Sequence, residues 1–408
     1  MTDLTEIRRS SRTSTRALYL ALAVDAVGTG LYLPLSMLYF LKTTDIPVAT
    51  VGLVFSAGNI VSLPLPLLTG RLVDRFGAKP LVVAGQLIQA AGFALFLVVD
   101  NPYTLFAAAV VECTGLRVYW SSAYSLLAEQ ADREGGGQAK DLWFAREGMI
   151  RNAGVGAGAV LAGALIAVDS AGVYRLIVSV DAVSFLVAAA AVTAFVRRAP
   201  RRAPSAPGAR PAVHPLRNRA FVLLTTVNCA FTLCHVFSGM IPVYATEGLG
   251  APGWTPSLIL TLNTVLIATL TAAVTRFARA RASRPRAMVW AGRLWLGWAL
   301  GMAGAVLLPG GFWLVAALAV ITLCWTAAEM LHGPASNAIA DEVAPKEARG
   351  AYLGVFQYSF VGAMIIAPGL FGVLFSLGRV LPWLAVGALA AGAALSVAPL
   401  ARRLGLAV

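Results

Sequence analysis

The stretch Gly70-Arg71-Leu72-Val73-Asp74-Arg75-Phe76-Gly77-Ala78-Lys79-Pro80 lies between two apolar runs, each long enough to cross a bilayer. So short a connection brings the two runs back side by side. It is expected as a loop at the membrane surface, where Arg71, Arg75 and Lys79 stay hydrated, with Gly70 and Gly77 permitting a tight backbone. Asp74, a lone acid among these cations at a helix end, reads as a carboxylate reaching a neighbouring helix terminus.

The surrounding chain fits that reading. Of its 408 residues 58% are apolar and 12% charged, and the mean hydropathy is +0.76, far too apolar for a soluble domain of this size. Runs of about 20 apolar residues number twelve, at 17–40, 48–70, 80–99, 102–128, 143–168, 172–196, 219–246, 256–278, 287–308, 312–338, 350–376 and 380–401. The expected fold is therefore an all-α membrane protein with twelve transmembrane helices. The basic start of the chain, Arg8 to Arg16, leads into a first span and shows no small-residue cleavage site. If the N-terminus is cytoplasmic, every Lys and Arg except Lys42, Arg117, Arg175 and Arg379 falls on the cytoplasmic side. Both termini are then inside, as the positive-inside rule and an even number of spans require. The same rule accounts for the net charge of +13 without nucleic acid as a partner.

The longest polar break is rich in Arg and Pro and divides the chain into an N-terminal six-helix bundle (1–196), a cytoplasmic linker (197–218) able to lie against anionic lipid, and a C-terminal six-helix bundle (219–408). The bundles echo each other: Ala128-Glu129 corresponds to Ala340-Asp341 at an offset of 212 residues. That offset carries Arg117 onto Glu329. A parallel repeat of this kind is what duplicated transporters show, with the substrate held near the midplane between the halves.

Gly70, Leu72, Asp74, Arg75, Gly77 and Lys79 resemble the loop between the second and third helices of the major facilitator superfamily; Ala78 departs from its pattern. The resemblance implies that Gly70, Asp74, Arg75, Gly77 and Lys79 form a conformational latch, with Asp74 pairing with the charged ends of the fourth and eleventh helices. Arg117-Val118-Tyr119-Trp120-Ser121 is similar to the fourth-helix motif of proton-driven exporters, except that Ser121 replaces a glycine. The resemblance thus points to the drug-efflux branch of the superfamily.

Ionisable side chains inside the hydrocarbon are functional candidates by default. Asp25, Glu112, Arg117, Asp181, His235, Glu329 and His332 are such residues. A permanently charged guanidinium at Arg117 demands an acidic partner, and Asp25 is the first choice for it. Asp25 is also the first candidate for proton coupling, followed by Glu329 and then Glu112; competition between proton and substrate for one carboxylate would couple inward proton flow to export. Glu329 and His332, at i and i+3, could instead satisfy each other. His235 alone reads as a satisfied core histidine. Arg146, Arg151 and Arg293 stand close enough to helix ends to reach water. Gly154, Gly156, Gly158 and Gly163 give the fifth span a small-residue face for close packing. On the helices that line the centre in the family resembled, Tyr32, Tyr119, Trp120, Tyr124, Trp325 and Tyr358 could face a cavity, with Asn228, Asn263 and Gln357 as polar anchors.

No phosphate-cradling loop is present, and Cys113, Cys229, Cys234 and Cys324 lack metal-ligand spacing. No enzyme activity, cofactor or metal is expected. The overall expectation is a monomeric transporter in a bacterial cell membrane, exporting amphipathic small molecules by proton antiport. The alternatives are an importer of a polar nutrient or metal chelate and a non-transporting receptor.

Overall fold

The computed structural model describes residues 18–32, 36–133, 138–166, 170–196, 215–345 and 349–407. The basic N-terminal residues and residues 197–214 of the expected linker lie outside them. Among the described residues all regular structure is helical. Six helices are long and apolar enough to cross a membrane, and four shorter apolar helices accompany them.

The described residues fall into two compact units, one drawn from Met1–Ile46 and Ala57–Ser205, the other from Pro47–Ser56 and Ala206–Val408. In the first lie α1 (Leu18–Tyr32), α2 (Leu38–Thr43), the end of α3 (Val48–Val61), α4 (Leu65–Phe76), α5 (Ala78–Phe96), α6 (Pro102–Arg133), α7 (Gln138–Ile166) and α8 (Ala171–Phe195). The second takes the start of α3, together with α9 (Arg219–Val236), α10 (Ile241–Val243), α11 (Thr255–Arg281), α12 (Arg284–Gly304), α13 (Phe312–Val343), α14 (Arg349–Leu377) and α15 (Leu381–Arg403). Both α6 and α13 run for 32 residues, each continuing past the end of its apolar run.

Local chemistry sets the helix starts. The side chains of Ser170, Asn218 and Ser283 accept from the backbone N–H three residues on, capping α8, α9 and α12. Asn101 Oδ1 accepts from the N–H groups of Tyr103 and Thr104 at the head of α6. Pro256, Pro285 and Pro382 occupy the first turns of α11, α12 and α15, where their missing N–H removes nothing.

The stretch 70–80 differs from the expected loop. α4 carries the chain without interruption to Phe76 and α5 begins at Ala78, so Gly77 alone makes the break. Arg71 and Arg75, one turn apart, stay on the helix because its backbone bonds are made internally whether or not lipid surrounds it. At φ 85° and ψ 163° Gly77 holds a conformation that side-chain-bearing residues avoid. Gly70, by contrast, is an ordinary helical residue.

In the first unit α5 packs between α6 and α8. Leu18, Val82, Tyr119, Leu126, Leu127 and Val192 form one buried apolar cluster there. The rings of Phe93 and Phe96 lie 5.4 Å apart and Tyr32 stands edge-on to Phe93 at 4.6 Å. Gly158 of α7 meets the α1 backbone at Val27 and Leu31, where any side chain would collide; this close approach is what small residues permit in a membrane.

The second unit is built on aromatic rings. Trp295, Trp298 and Trp383 are fully buried, Trp298 and Trp383 meet edge to face at 5.1 Å, and Tyr244 joins Trp383 at 4.8 Å. Beyond α9 the helix changes pitch: a 3-10 turn at Phe237–Met240, the short α10, then a π turn at Tyr244–Gly248. Tyr244 Oη donates to the Met302 carbonyl at 2.8 Å, and Arg379 Nη1 donates to the Gly248 carbonyl at 3.0 Å.

The two glycines of the opening stretch make a matched test. Gly77→Ala forces a Cβ into a region that costs about 1–3 kcal/mol, whereas Gly70→Ala adds a Cβ with nothing within 4 Å and removes about 1 kcal/mol of helix penalty. Thermal unfolding in detergent should fall for the first variant and hold or rise for the second.

Candidate functional site

In the first unit Asp25 is 9% exposed on α1. Tyr119 Oη of α6 donates to its Oδ2 at 3.4 Å, while Oδ1 is buried without a hydrogen-bond partner. Beside Tyr119, Trp120 lies beneath the Arg151 guanidinium, 5.0 Å from the ring centre. Arg151 pairs with Glu147 one turn earlier on α7 at 3.1 Å, and Glu147 is 5% exposed. Arg151, read from sequence as reaching water, thus sits half-buried with its own acid. Glu147 escaped the sequence reading because its position near the start of an apolar run looked like a helix end.

Arg117 does not pair with Asp25. Its Nη2 donates to Asn59 Oδ1 of α3 at 2.9 Å, and its Nε is buried without a hydrogen-bond partner. A neutral amide therefore takes the place of the acid that was expected, because helix rotation turns Arg117 toward α3 and Tyr119 toward α1. Glu112, on the same helix as Arg117, stands where α5 touches α6 at Gly92. Asp181 of α8 is 1% exposed; Oδ1 accepts from Ser184 Oγ at 3.2 Å and Oδ2 has no hydrogen-bond partner. A side chain at Gly28 of α1 would overlap Asp181 and Ser184, so Asp181 meets α1 three residues beyond Asp25, on the same helix face.

In the second unit Glu329 of α13 receives three donors. His235 Nδ1 of α9 and Trp325 Nε1 (2.7 Å) bond to Oε1, and Asn263 Nδ2 of α11 bonds to Oε2 at 3.0 Å. Asn263 also reaches Thr326 at 3.1 Å. The Glu329 side chain is 9% exposed while that of His235 is 48% exposed, so His235 is no buried core histidine. Nor do Glu329 and His332 satisfy each other: His332 Nε2 bonds Asn228 Oδ1 at 2.9 Å, and Asn228 donates to Ser359 Oγ at 2.7 Å, tying α13, α9 and α14 together.

Of the latch residues, Lys79 Nζ donates to the Thr193 carbonyl at 2.8 Å, a cation placed at the end of α8 where unpaired carbonyls and the helix dipole favour it. The Arg75 guanidinium lies over the Phe76 ring at 5.3 Å. The side chain of Asp74 falls outside the described residues, as does that of Tyr124. Tyr32 is half-buried and donates to the Ser36 carbonyl at 3.3 Å. Trp325, at 2% exposure, supports Glu329 from within and presents little surface. Gln357 and Tyr358 are exposed on α14. Among the described residues no group of three His, Cys, Asp or Glu side chains could hold a metal ion.

Apolar helices that bury acids and bases among interhelical hydrogen bonds define a membrane transport protein rather than an enzyme. The model of the Major Facilitator Superfamily matches residues 18–368, and the chain belongs to that superfamily. The multidrug resistance protein MdtH of Klebsiella pneumoniae (strain 342) is 26% identical over 367 residues, covering 87% of this chain and 86% of its own. MdtH of Cronobacter sakazakii is 26% identical over 371 residues, covering 88% and 87%. Among solved structures, a mutant of the nucleoside transporter NupG superposes with a TM-score of 0.79 at 13% identity, over 96% of this chain and 99% of its own. An auto-inhibited POT family peptide transporter gives a TM-score of 0.76 at 16% identity, over 96% and 97%. At these identities the structural likenesses establish the fold.

The Arg117–Asn59 bond has a measurable role. Asn59→Leu leaves the half-buried guanidinium without this acceptor and should lower stability by about 1–3 kcal/mol. Asn59→Asp should recover most of it, as read by the melting temperature in detergent.

Proposed function

We propose that this protein is a proton-coupled exporter of amphipathic small molecules, working by alternating access in the bacterial cell membrane with twelve spans and both termini in the cytoplasm. The observation that carries the proposal is the state of Asp25. One carboxylate oxygen is held by Tyr119 and the other is buried with no partner, so a proton arriving from water has an open oxygen to occupy. Asp25 is the first coupling acid of the proposal. Its protonation state alters the charge carried inside α1, and because lipid tolerates charge poorly, that alteration biases which conformation the six-helix bundles adopt. Arg117, Glu112 and Asp181 shape the field around it, and Glu329 is the second acid. The multidrug resistance names of the MdtH relatives support export as the direction.

In this scheme Gly77 and Lys79 belong to the latch together with Gly70, Asp74 and Arg75. The Lys79 bond to the end of α8 supports a role for that segment in holding helix ends together. Substrate contacts are expected from Tyr32, Tyr119, Trp120 and Tyr124 in the first unit and from Asn228, Asn263, Gln357 and Tyr358 in the second. The protein works as a monomer with anionic lipid at its basic surface.

Uptake of a polar solute is the second reading. It is favoured by the polar groups gathered in the second unit, Asn228, His332 and Ser359 in one chain and Asn263, Thr326 and Glu329 in another. Inside-out vesicles separate the two directions: export predicts dye accumulation that depends on a pH gradient and collapses with an uncoupler. Asp25→Asn should insert normally and lose gradient-driven accumulation by about a hundredfold or more, the scale on which a positioned proton-transfer group acts. Gradient-driven accumulation of unchanged size in that variant would remove Asp25 from the mechanism.

A further inference from the structure

The Glu329 cluster differs from the other buried acids in how its partners are arranged. Two of its three donors are fixed. Trp325 is 2% exposed and Asn263 is 8% exposed; Trp325 lies one turn before Glu329 on α13, and Asn263 is held by Thr326 as well. The third donor, His235, is half-exposed and comes from α9, so it covers the carboxylate like a removable cap. A half-exposed imidazole on a buried carboxylate, within the apolar part of the chain, needs water on its open side, since lipid offers it no partner. Any molecule reaching Glu329 from that water meets His235 first.

We propose that Glu329 and His235 form a binding site for the basic nitrogen of the transported molecule, in which a substrate ammonium displaces the His235 imidazole from the carboxylate. The inference rests on the transport reading and adds to it a substrate class, organic bases, and a second proton-exchanging group. The exchange balances in atoms and charge. The imidazolium Nδ1–H···Oε1 bond breaks, an ammonium N–H···Oε1 bond forms, and the imidazole gives its proton to water. The carboxylate keeps one cationic partner before and after, so no bare charge is left in the apolar interior. Trp325 and Asn263 hold the carboxylate in place throughout, which confines the movement to His235. On α13, His332 is the other titratable group near His235, and it is engaged by Asn228. Glu329 is the charged group acting on His235 among the described residues. α11 contributes the neutral amide of Asn263, and α14 the hydroxyl of Ser359 behind Asn228. A neutral amphipath has nothing to offer in place of the imidazolium and leaves His235 where it is.

The test uses purified full-length protein in detergent and two fluorescent probes that differ in one group: dansylcadaverine, which carries a primary ammonium, and its N-acetyl derivative, which is neutral. Binding is followed by fluorescence and proton release by an indicator dye in weak buffer at about pH 7.5, where an imidazole freed from its carboxylate is largely neutral. The amine should bind at least about tenfold more tightly than the acetylated probe and release about one proton per molecule bound. Glu329→Gln should abolish the preference. His235→Asn should keep the preference and release no proton, a split that a purely structural pair would not produce. Equal affinity for the two probes, or undiminished proton release from His235→Asn, overturns the proposal. If Glu329→Gln does not fold, the probe pair on the unmodified protein and on His235→Asn decides the matter alone. Should vesicles show no gradient-driven export while the amine preference persists, the coupling scheme falls and this site stands. Export that persists with no amine preference has the opposite meaning.

Discussion

Hydrocarbon solvates neither charge nor an unpaired backbone group, and everything distinctive in this molecule follows from that single intolerance. It makes the described structure helical throughout, because a helix bonds its own backbone. It also makes each interior acid or base seek a partner on another helix, where an interhelical hydrogen bond contributes on the order of 1 kcal/mol. The partners are unevenly supplied. Glu329 has three donors, whereas Asp181 has one hydroxyl on its own helix and Asp25 one phenol from another helix, each with its second oxygen unmatched. This unevenness separates groups that are fixed from groups open to exchange, and it is the basis for assigning a proton to one acid and a cation to another.

The two units reach tight packing by different routes. The first places small residues at helix contacts, as where Gly158 of α7 meets the backbone of α1 at Val27. The second relies on rings. Trp298 stacks on Trp325 at 6.1 Å, and Trp325 in turn donates to Glu329. The carboxylate is therefore anchored, through one indole, to the same aromatic core that fixes α12 and α15. A site that must distinguish one cation from another benefits from such anchoring, since only the intended partner is then free to move.

The helical architecture and superfamily membership were legible in the sequence because they rest on long-range hydropathy and on a short charged motif, both of which survive without knowledge of helix rotation. Asp25, Arg117 and Glu329 were singled out for the same reason: charge within an apolar run needs no geometry to be noticed. Their partners were not legible. Arg117 to Asn59, Glu329 to His235 and His332 to Asn228 each depend on which way two helices face, and sequence spacing constrains only residues on the same helix. The loop expected at 70–80 failed for a related reason. Apolar content ends near Gly70, yet the backbone bonding that defines a helix continues through charged residues to Phe76, so hydropathy located the end of the greasy segment and not the end of the helix.

The change of pitch beyond α9 carries one more consequence. A tightly wound 3-10 turn at Phe237–Met240 followed by a loosely wound π turn at Tyr244–Gly248 alters the angular phase of the rod while leaving it continuous, so residues after Gly239 point to sides that a uniform winding would not give them. Tyr244 is thereby turned onto Trp383 and the Met302 carbonyl, pinning the far end. The one rod thus serves two faces that are out of phase, His235 before the change turned to Glu329 and Tyr244 after it turned into the aromatic core.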